Sequence, residues 1–101
     1  MHKYLKLFIF TSLLTLLGCG GVSKTTLTPG GERIEIMHQR PYESCNVVGK
    51  FVGENDEGSV ELARNHVRNL AARGGADAII FDEEIRNGHQ WRVHATGYKC
   101  Y

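Results

Sequence analysis

The feature that most constrains this chain is a short apolar run that ends at a cysteine near the start of the sequence. Lys3 and Lys6 give the sequence a basic start. The eleven residues from Leu7 to Leu17 are mostly apolar, and Gly18 then precedes Cys19. This is the layout of a secretory signal. A helix of this length rises about 16 Å, roughly half of a hydrocarbon core, so the run is too short to span a membrane stably.

The end of the run, Leu16-Leu17-Gly18-Cys19, resembles the lipobox of bacterial lipoproteins. The resemblance implies that residues 1–18 are a lipoprotein signal peptide and that the Cys19 thiol is lipidated. Several acyl chains would then anchor the protein to a membrane. Gly20 stands where an inner-membrane retention signal usually has Asp, so the resemblance implies the outer membrane, with the domain in the periplasm. The alternative is an ordinary signal peptide with Cys19 at its junction by chance.

The size and charge of the remaining chain limit what it can do. Removal of 18 of the 101 residues leaves 83, which is one small domain with a thin core. The mature chain has 10 basic and 11 acidic side chains, because Lys3 and Lys6 are lost from the 12 basic ones. Without a basic patch, we expect no nucleic-acid partner.

Two cysteines remain once Cys19 carries lipid, namely Cys45 and Cys100. An exported compartment is oxidising, and small exported domains commonly depend on disulfides for stability. We therefore predict a structural Cys45–Cys100 disulfide. A redox-active pair is the alternative, but such pairs normally have Cys-x-x-Cys spacing.

The mature chain begins with a predicted tether and a predicted first strand. Residues 19–26 are the lipidated cysteine and a flexible stretch of Gly, Ser, Thr and Lys, whose last seven residues reach about 25 Å at most. Residues 27–101 form the expected periplasmic domain. Leu27 to Gly31 have the composition of a turn. Arg33 to Met37 alternate polar and apolar side chains, which predicts a strand with Ile34 and Ile36 facing inward.

A second strand is predicted from Asn46 to Gly53, directly after Cys45. Its two glycines, Gly49 and Gly53, indicate a bulge or the close approach of a neighbouring backbone. A helix is then predicted from Ser59, a favourable N-cap, to Arg73, with Gly74-Gly75 as its end. Its apolar stripe recurs at three- and four-residue spacing and consists of Val60, Ala63, Val67, Leu70 and Ala71.

Two more strands complete the predicted fold. An apolar strand from Ala76 to Phe81 ends at the acidic residues 82–84, and a strand from Gln90 to Tyr98 alternates cleanly. Asn87-Gly88 between them is a strong hairpin signal. The predicted fold is α+β: a small β-β-α-β-β layer with one sheet packed on one long helix and one disulfide.

The order of several short motifs resembles a known family. The motifs are Leu27-Thr28-Pro29, Gly49-Lys50-Phe51-Val52-Gly53 after Cys45, Ala63-Arg64-Asn65, Gly74-Gly75-Ala76 and Tyr98-Lys99-Cys100. Together they resemble the YjeI-like bacterial lipoproteins, which are distantly similar to RcsF and to YbjQ-like domains. The resemblance implies a small sheet on one helix with its two cysteines bridged. RcsF-like sensors have four cysteines and a long proline-rich linker, which this chain lacks, so a sensor function is not carried over.

Metal binding is the alternative function that we consider. The candidate ligands are His38, His89 and His94, but no pair has the spacing of a helical or finger-type metal site. His89 and His94 would point to opposite faces of a strand. We therefore expect no cofactor, and we treat a metal-binding or metal-sensing lipoprotein as the second interpretation.

Catalysis is disfavoured. Ser44 and Ser59 have no neighbouring base or oxyanion hole in the sequence pattern, and the acidic residues form two runs, 54–57 and 82–84, without the spacing of a calcium loop or a glycosidase pair. We expect that the protein is not an enzyme.

Protein binding is the interpretation that remains. A lipid-anchored, disulfide-bridged domain without a pocket signature most often presents a surface to another protein, here a component of the cell envelope. Exposed aromatic residues are the candidate anchors of such a surface. They are Tyr42, Trp91, Tyr98 and Tyr101. For Trp91 we favour a place in the core, because its strand face also carries Val93 and Ala95.

Overall fold

The computed structural model describes residues 23–39 and 44–101. The elements in chain order are α1 (Pro29–Arg33), β1 (Glu35–Ile36), β2 (Asn46–Asn55), α2 (Val60–Arg73), β3 (Ala78–Asn87) and β4 (Gln90–Lys99). The predicted α+β fold, with one sheet on one long helix, is confirmed. The short helix α1 was not predicted. No helix within these two ranges is long and apolar enough to cross a membrane.

The four strands form one sheet in the order β1-β3-β4-β2. β3 and β4 are an antiparallel hairpin, and β2 pairs antiparallel with the other side of β4. β1 pairs parallel with β3 through Glu35 opposite Ala78 and Ile36 opposite Ile79. The helix α2 lies on one face of this sheet and packs chiefly against β2 and β4. The other face is called here the open face.

The core lies between α2 and the sheet. The buried stripe of α2 is made of small residues, with Ala63, Val67 and Ala71 fully enclosed. Ile79 of β3 and Val93 of β4 are buried in the same cluster. Small side chains on the helix bring it close to the sheet, and burial of the larger aliphatic ones supplies the hydrophobic stabilisation.

Both interpretations of the β2 glycines are confirmed. The register between β2 and β4 shifts between Val47 and Gly49, which is a bulge. At Gly53 the helix backbone approaches so closely that a Cβ atom would lie 2.3 Å from the carbonyl oxygen of Ala63 and 2.5 Å from the amide nitrogen of Val67. Gly53 therefore sets the distance between α2 and the sheet.

The segment predicted as a turn is instead the beginning of α1. Thr28 is the N-cap, and its side-chain oxygen accepts a hydrogen bond from the Gly31 amide. Pro29 occupies the first turn, where its fixed φ suits a helix and its missing N–H costs nothing. Arg33 is the last residue of α1, and Ile34, which is 5% exposed, is its C-cap. The strand predicted from Arg33 is therefore shortened to β1.

The long helix α2 has the predicted boundaries. Ser59 is its N-cap and accepts a hydrogen bond from the Leu62 amide. Gly74 ends the helix, and Gly75 follows with a φ of +95°, a conformation that favours glycine.

β3 is longer than predicted, because it continues through the acidic residues 82–84 to Asn87. Those carboxylates lie within the strand and do not cap it. The predicted hairpin is confirmed, but its two-residue loop is Gly88-His89, since Asn87 pairs with Gln90. Gly88 has a φ of +66° and makes the turn possible.

The predicted disulfide between Cys45 and Cys100 is confirmed. Cys45 directly precedes β2 and Cys100 directly follows β4, beside the register pair Asn46 and Lys99. The bridge therefore joins two neighbouring strands at one end of the sheet.

Candidate binding surface

A groove of about 670 Å³ lies between α2 and the β1–β3 side of the sheet. Its apolar lining comes from Ile36 and Phe81, both half-buried and packed against the core. The rest of its lining is polar and consists of His38, Glu61, Arg64, Asn65, Arg68, Asp82, Glu83 and Glu84. The groove exists because α2 packs mainly over β2 and β4 and leaves this side of the sheet less covered.

Arg64 and Glu84 cross the groove from helix to strand. The Arg64 Nη2 donates to Glu84 Oε1 at 2.8 Å, and Nε donates to the other carboxylate oxygen. The guanidinium also lies over the Phe81 ring, 5.9 Å from its centroid. The hydrogen bonds from Arg64 hold the pKa of Glu84 below its usual value, and the same contact raises the pKa of Arg64.

A bulge in β3 places Glu84 on the helix side. The register of β3 against β4 shifts between Phe81 and Glu83, so Asp82 is an extra residue in the strand. Asp82 Oδ2 accepts a hydrogen bond of 2.6 Å from the hydroxyl of Thr96, which is 6% exposed. The extra residue shifts the alternation by one, and Glu84 then faces α2 like Phe81.

Arg68 holds α1 in place. Its Nε donates to the Gly31 carbonyl oxygen at 3.1 Å and its Nη2 to the Glu32 carbonyl oxygen at 3.4 Å. Both groove arginines therefore bind groups of the protein itself. The exposed carboxylate of Glu61 lies at the rim, 3.9 Å from Arg64 Nη1, so the groove offers an apolar floor with an acidic edge. Glu83 pairs with His94 in the register of β3 and β4, so its side chain points to the open face.

The outer edge of β3 lies beside this groove. β1 pairs with Ala78 and Ile79, the first two of the ten residues of β3. One further hydrogen bond, from the Met37 amide to the Ile79 carbonyl oxygen, extends this contact. Within the described ranges, no strand pairs with the outer edge of β3 from Ile80 to Asn87. Unpaired strand edges are templates for the addition of another strand.

The open face carries apolar side chains in solvent. Val52 of β2 is 38% exposed and Ile85 of β3 is 41% exposed. Val47 and Val48, at the β2 bulge, are also exposed. Charged and polar residues, such as Lys50 and Arg92, separate these positions, so the apolar side chains do not form one large patch.

The candidate metal ligands lie in three different places. His38 lies at the groove, His89 in the hairpin loop and His94 on β4, opposite Val52. Across residues 23–39 and 44–101, no group of three or more His, Cys, Asp or Glu side chains is arranged to hold a metal ion.

His66 has a role within the fold that the sequence did not indicate. Its Nδ1 accepts a hydrogen bond of 2.9 Å from the Glu54 amide, so the ring covers the outer edge of β2. Burial lowers the pKa of His66, and the nearby charge of Lys24 acts in the same direction. The neutral ring is the form that can accept this bond.

The aromatic candidates differ in exposure. Trp91 is half-buried and packs against the core, as favoured, with the Arg86 guanidinium 5.8 Å from its ring centroid. Tyr98 is half-buried, whereas Tyr101 is 83% exposed and its hydroxyl donates to Glu35. Tyr42 lies outside the described residues. None of the described aromatic residues lines the groove except Phe81.

Asn69 is a structural residue that sequence reasoning missed. It is 4% exposed and binds residues Lys24 to Thr28 through its side-chain amide. The predicted flexible tether extended to Thr26, and in the structure Lys24 and Thr26 are hydrogen-bonded to this side chain. A single Asn outside the apolar stripe resembles an ordinary solvated residue, so only its low helix propensity distinguished it.

The two serines considered in the sequence lie in different parts of the described chain. Ser59 is the N-cap of α2, and Ser44 is exposed beside the disulfide. Cys19, the predicted lipidation site, lies outside the described residues.

Comparisons of the chain with protein-family models, curated proteins and solved structures give no significant match.

Proposed function

We propose that this protein is an outer-membrane lipoprotein whose small disulfide-bridged domain binds an extended segment of another envelope protein. The observation that carries the binding function is the outer edge of β3. β1 pairs with two of its ten residues, and the edge beyond Ile79 lies beside the groove. An added strand would hydrogen-bond to this edge through backbone groups that any sequence possesses.

The groove would give such an interaction its selectivity. Alternate side chains of an added strand point to the same face, so every second residue of the partner would enter the groove. There it would meet the apolar floor of Ile36 and Phe81 and the carboxylate of Glu61. We therefore expect a partner segment in which apolar and basic side chains share one face.

The lipid anchor is supported by the sequence from Met1 to Cys19. Metabolic labelling with radioactive palmitate tests it, comparing the wild type with Cys19→Ala. We expect label and membrane sedimentation in the wild type and neither in the variant. An unlabelled wild type, or a variant that is processed and sediments as before, would rule out the anchor.

Photo-cross-linking in intact cells tests the binding edge. A photoreactive amino acid replaces Glu83 on β3, and a matched variant carries it at Lys50, on the same face of β2 at the other side of the sheet. We expect a discrete cross-linked product, identified by mass spectrometry, from position 83 and not from position 50. Equal products at both positions, or a product at position 50 alone, would contradict the assignment of β3.

No observation in the described part of the chain favours the metal-binding alternative, because His38, His89 and His94 lie apart.

A further inference from the structure

The side chain of Asn69 fixes the last residues before the domain onto the outer side of α2. Its Nδ2 donates to the carbonyl oxygens of Lys24, at 3.1 Å, and Thr26, at 2.8 Å. Its Oδ1 accepts from the Thr28 amide at 2.9 Å and from the Thr28 hydroxyl at 3.0 Å. The two donors and two lone pairs of the amide are thus all used. A buried side chain with four such bonds is a clamp on this segment.

The clamp lies on the side of α2 that faces away from the sheet. Asn69 follows the fully buried Val67 by two residues, which is about 200° around the helix. α1 packs on the same outer side, since a Cβ atom at Gly30 would touch the Ala72 side chain at 3.4 Å. The domain therefore has three layers: the clamped segment with α1, then α2, then the sheet with its open face outermost.

The clamp shortens the connection to the proposed anchor. Three residues, 20–22, separate Cys19 from Ser23, and this spacing allows at most about 14 Å between them. The three layers together are thicker than this, since a single helix with its side chains is already about 10 Å across. A lipidated Cys19 would therefore keep the clamped side of the domain beside the bilayer.

The charges on that side suit an anionic surface. Here the clamp face means Ser23–Thr28 together with α1 and Arg73, which lies beside Thr28 and Asn69. Its exposed basic residues are Lys24, Arg33 and Arg73, against the single exposed carboxylate of Glu32. Clusters of Lys and Arg next to a membrane anchor are attracted to anionic phospholipid headgroups.

The geometry points to a phospholipid surface as the partner of the clamp face. The domain lies with Lys24, Arg33 and Arg73 against anionic headgroups, and the open face of the sheet points away from the bilayer. This orientation rests on the proposed lipid anchor at Cys19. The orientation adds to that proposal the surface of the domain that contacts the membrane. It also assigns to Asn69 the role of holding that surface in place.

Lipid photolabelling of the full lipidated protein tests this orientation. The protein is reconstituted in vesicles of phosphatidylethanolamine and phosphatidylglycerol that contain a trace of phospholipid with a photoreactive headgroup, and labelled peptides are mapped by mass spectrometry. We expect the peptides containing Arg33 and Arg73 to carry at least fivefold more label than the peptides containing Val52 or Ile85. Even labelling, or an excess on the open face, would overturn the orientation.

A matched pair of substitutions tests the role of Asn69. Asn69→Asp removes the two donors of the clamp, whereas Asn65→Asp makes the same change on the same helix at a residue outside it. We expect the labelling ratio to fall below twofold in Asn69→Asp and to stay at the wild-type level in Asn65→Asp. An unchanged ratio in folded Asn69→Asp would contradict the clamp.

A second variant keeps the test valid if Asn69→Asp does not fold. Lys24→Glu with Arg73→Glu should lower the labelling ratio at least twofold in vesicles with phosphatidylglycerol and leave it unchanged in phosphatidylethanolamine alone. The same ratio as wild type in both would contradict a role for charge. Wild-type protein that does not sediment with vesicles contradicts the anchor, whereas sedimenting protein with even labelling contradicts only the orientation.

Discussion

At the scale of single residues, glycine at position 53 decides how closely α2 approaches the sheet. A Cβ atom there would lie 2.3 Å from the Ala63 carbonyl oxygen and 2.8 Å from the Val67 Cβ. The helix backbone cannot give way locally without losing its own hydrogen bonds. The sequence indicated that Gly49 and Gly53 were special. It could not assign the bulge to one and the close approach to the other, because that depends on where α2 crosses β2.

Gly53→Ala should therefore destabilise the domain by about 2–3 kcal/mol, in the range of overpacked cores. Gly49→Ala on the same strand is the control, since its Cβ would meet the Phe51 ring at 3.4 Å, an ordinary contact distance. We expect the control to cost less than about 1 kcal/mol. Urea unfolding with the disulfide intact measures both, and equal costs would contradict the close approach.

His66 should give the domain a pH-dependent stability. Its pKa in the folded state is lowered, chiefly by burial. The unfolded state therefore binds more protons as the pH falls through about 6.5, the ordinary value for histidine. The free energy of unfolding should decrease from pH 7.5 to pH 5.5 because protonated His66 cannot accept the Glu54 amide.

His66→Gln should flatten this decrease, and urea unfolding at several pH values measures it. His38→Gln serves as the control, since His38 is exposed and should leave the wild-type profile unchanged. A His66→Gln profile parallel to that of the wild type would show that another group is responsible.

At the scale of elements, the sequence predicted the boundaries that local capping decides and missed those that strand pairing decides. Ser59 and Gly74 set the ends of α2 as expected, because capping is local. α1 was missed because Thr28-Pro29 suits both a turn and a helix start. β3 was expected to stop at Phe81 because three acidic residues follow. Instead, β3 continues beyond Phe81 because it stays paired with β4, with a bulge at Asp82.

The bulge of β3 gives a prediction at this scale. Asp82→Ala leaves the enclosed Thr96 hydroxyl without its acceptor and should cost about 1–2 kcal/mol. The adjacent Glu83→Ala is the control and should lie within about 0.5 kcal/mol of the wild type. Adding Thr96→Val to Asp82→Ala should restore part of the loss, since both partners are then removed. Thermal unfolding measures the set, and equal effects of the two single substitutions would refute this account.

At the scale of the whole molecule, the fold class and the disulfide followed from the sequence, while the binding surface did not. The number of cysteines and the predicted exported context were sufficient to pair Cys45 with Cys100. The groove exists because α2 crosses the sheet over β2 and β4 and because β1 is only two residues long. Neither property can be predicted from a single sequence. The histidines suggested as ligands lie apart because their strands and loops end in different parts of the domain.

The disulfide should supply a large part of the stability of so small a domain. It closes a loop with a sequence separation of 55 residues. Replacing both Cys45 and Cys100 by Ser should lower the free energy of unfolding by about 4 kcal/mol. Wild-type protein unfolded in the presence of a reductant should show a similar loss. A loss below about 1 kcal/mol in both would contradict a stabilising bridge.

The most direct test of the whole account is the intact mass of the protein extracted from cell membranes. We expect a chain that begins at Cys19, carries the mass of covalent acyl groups on that residue and lacks two hydrogens because of the Cys45–Cys100 bridge. A chain that begins elsewhere, or one that begins at Cys19 without added lipid mass, would contradict the central claim that a lipid anchor holds this bridged domain at the membrane.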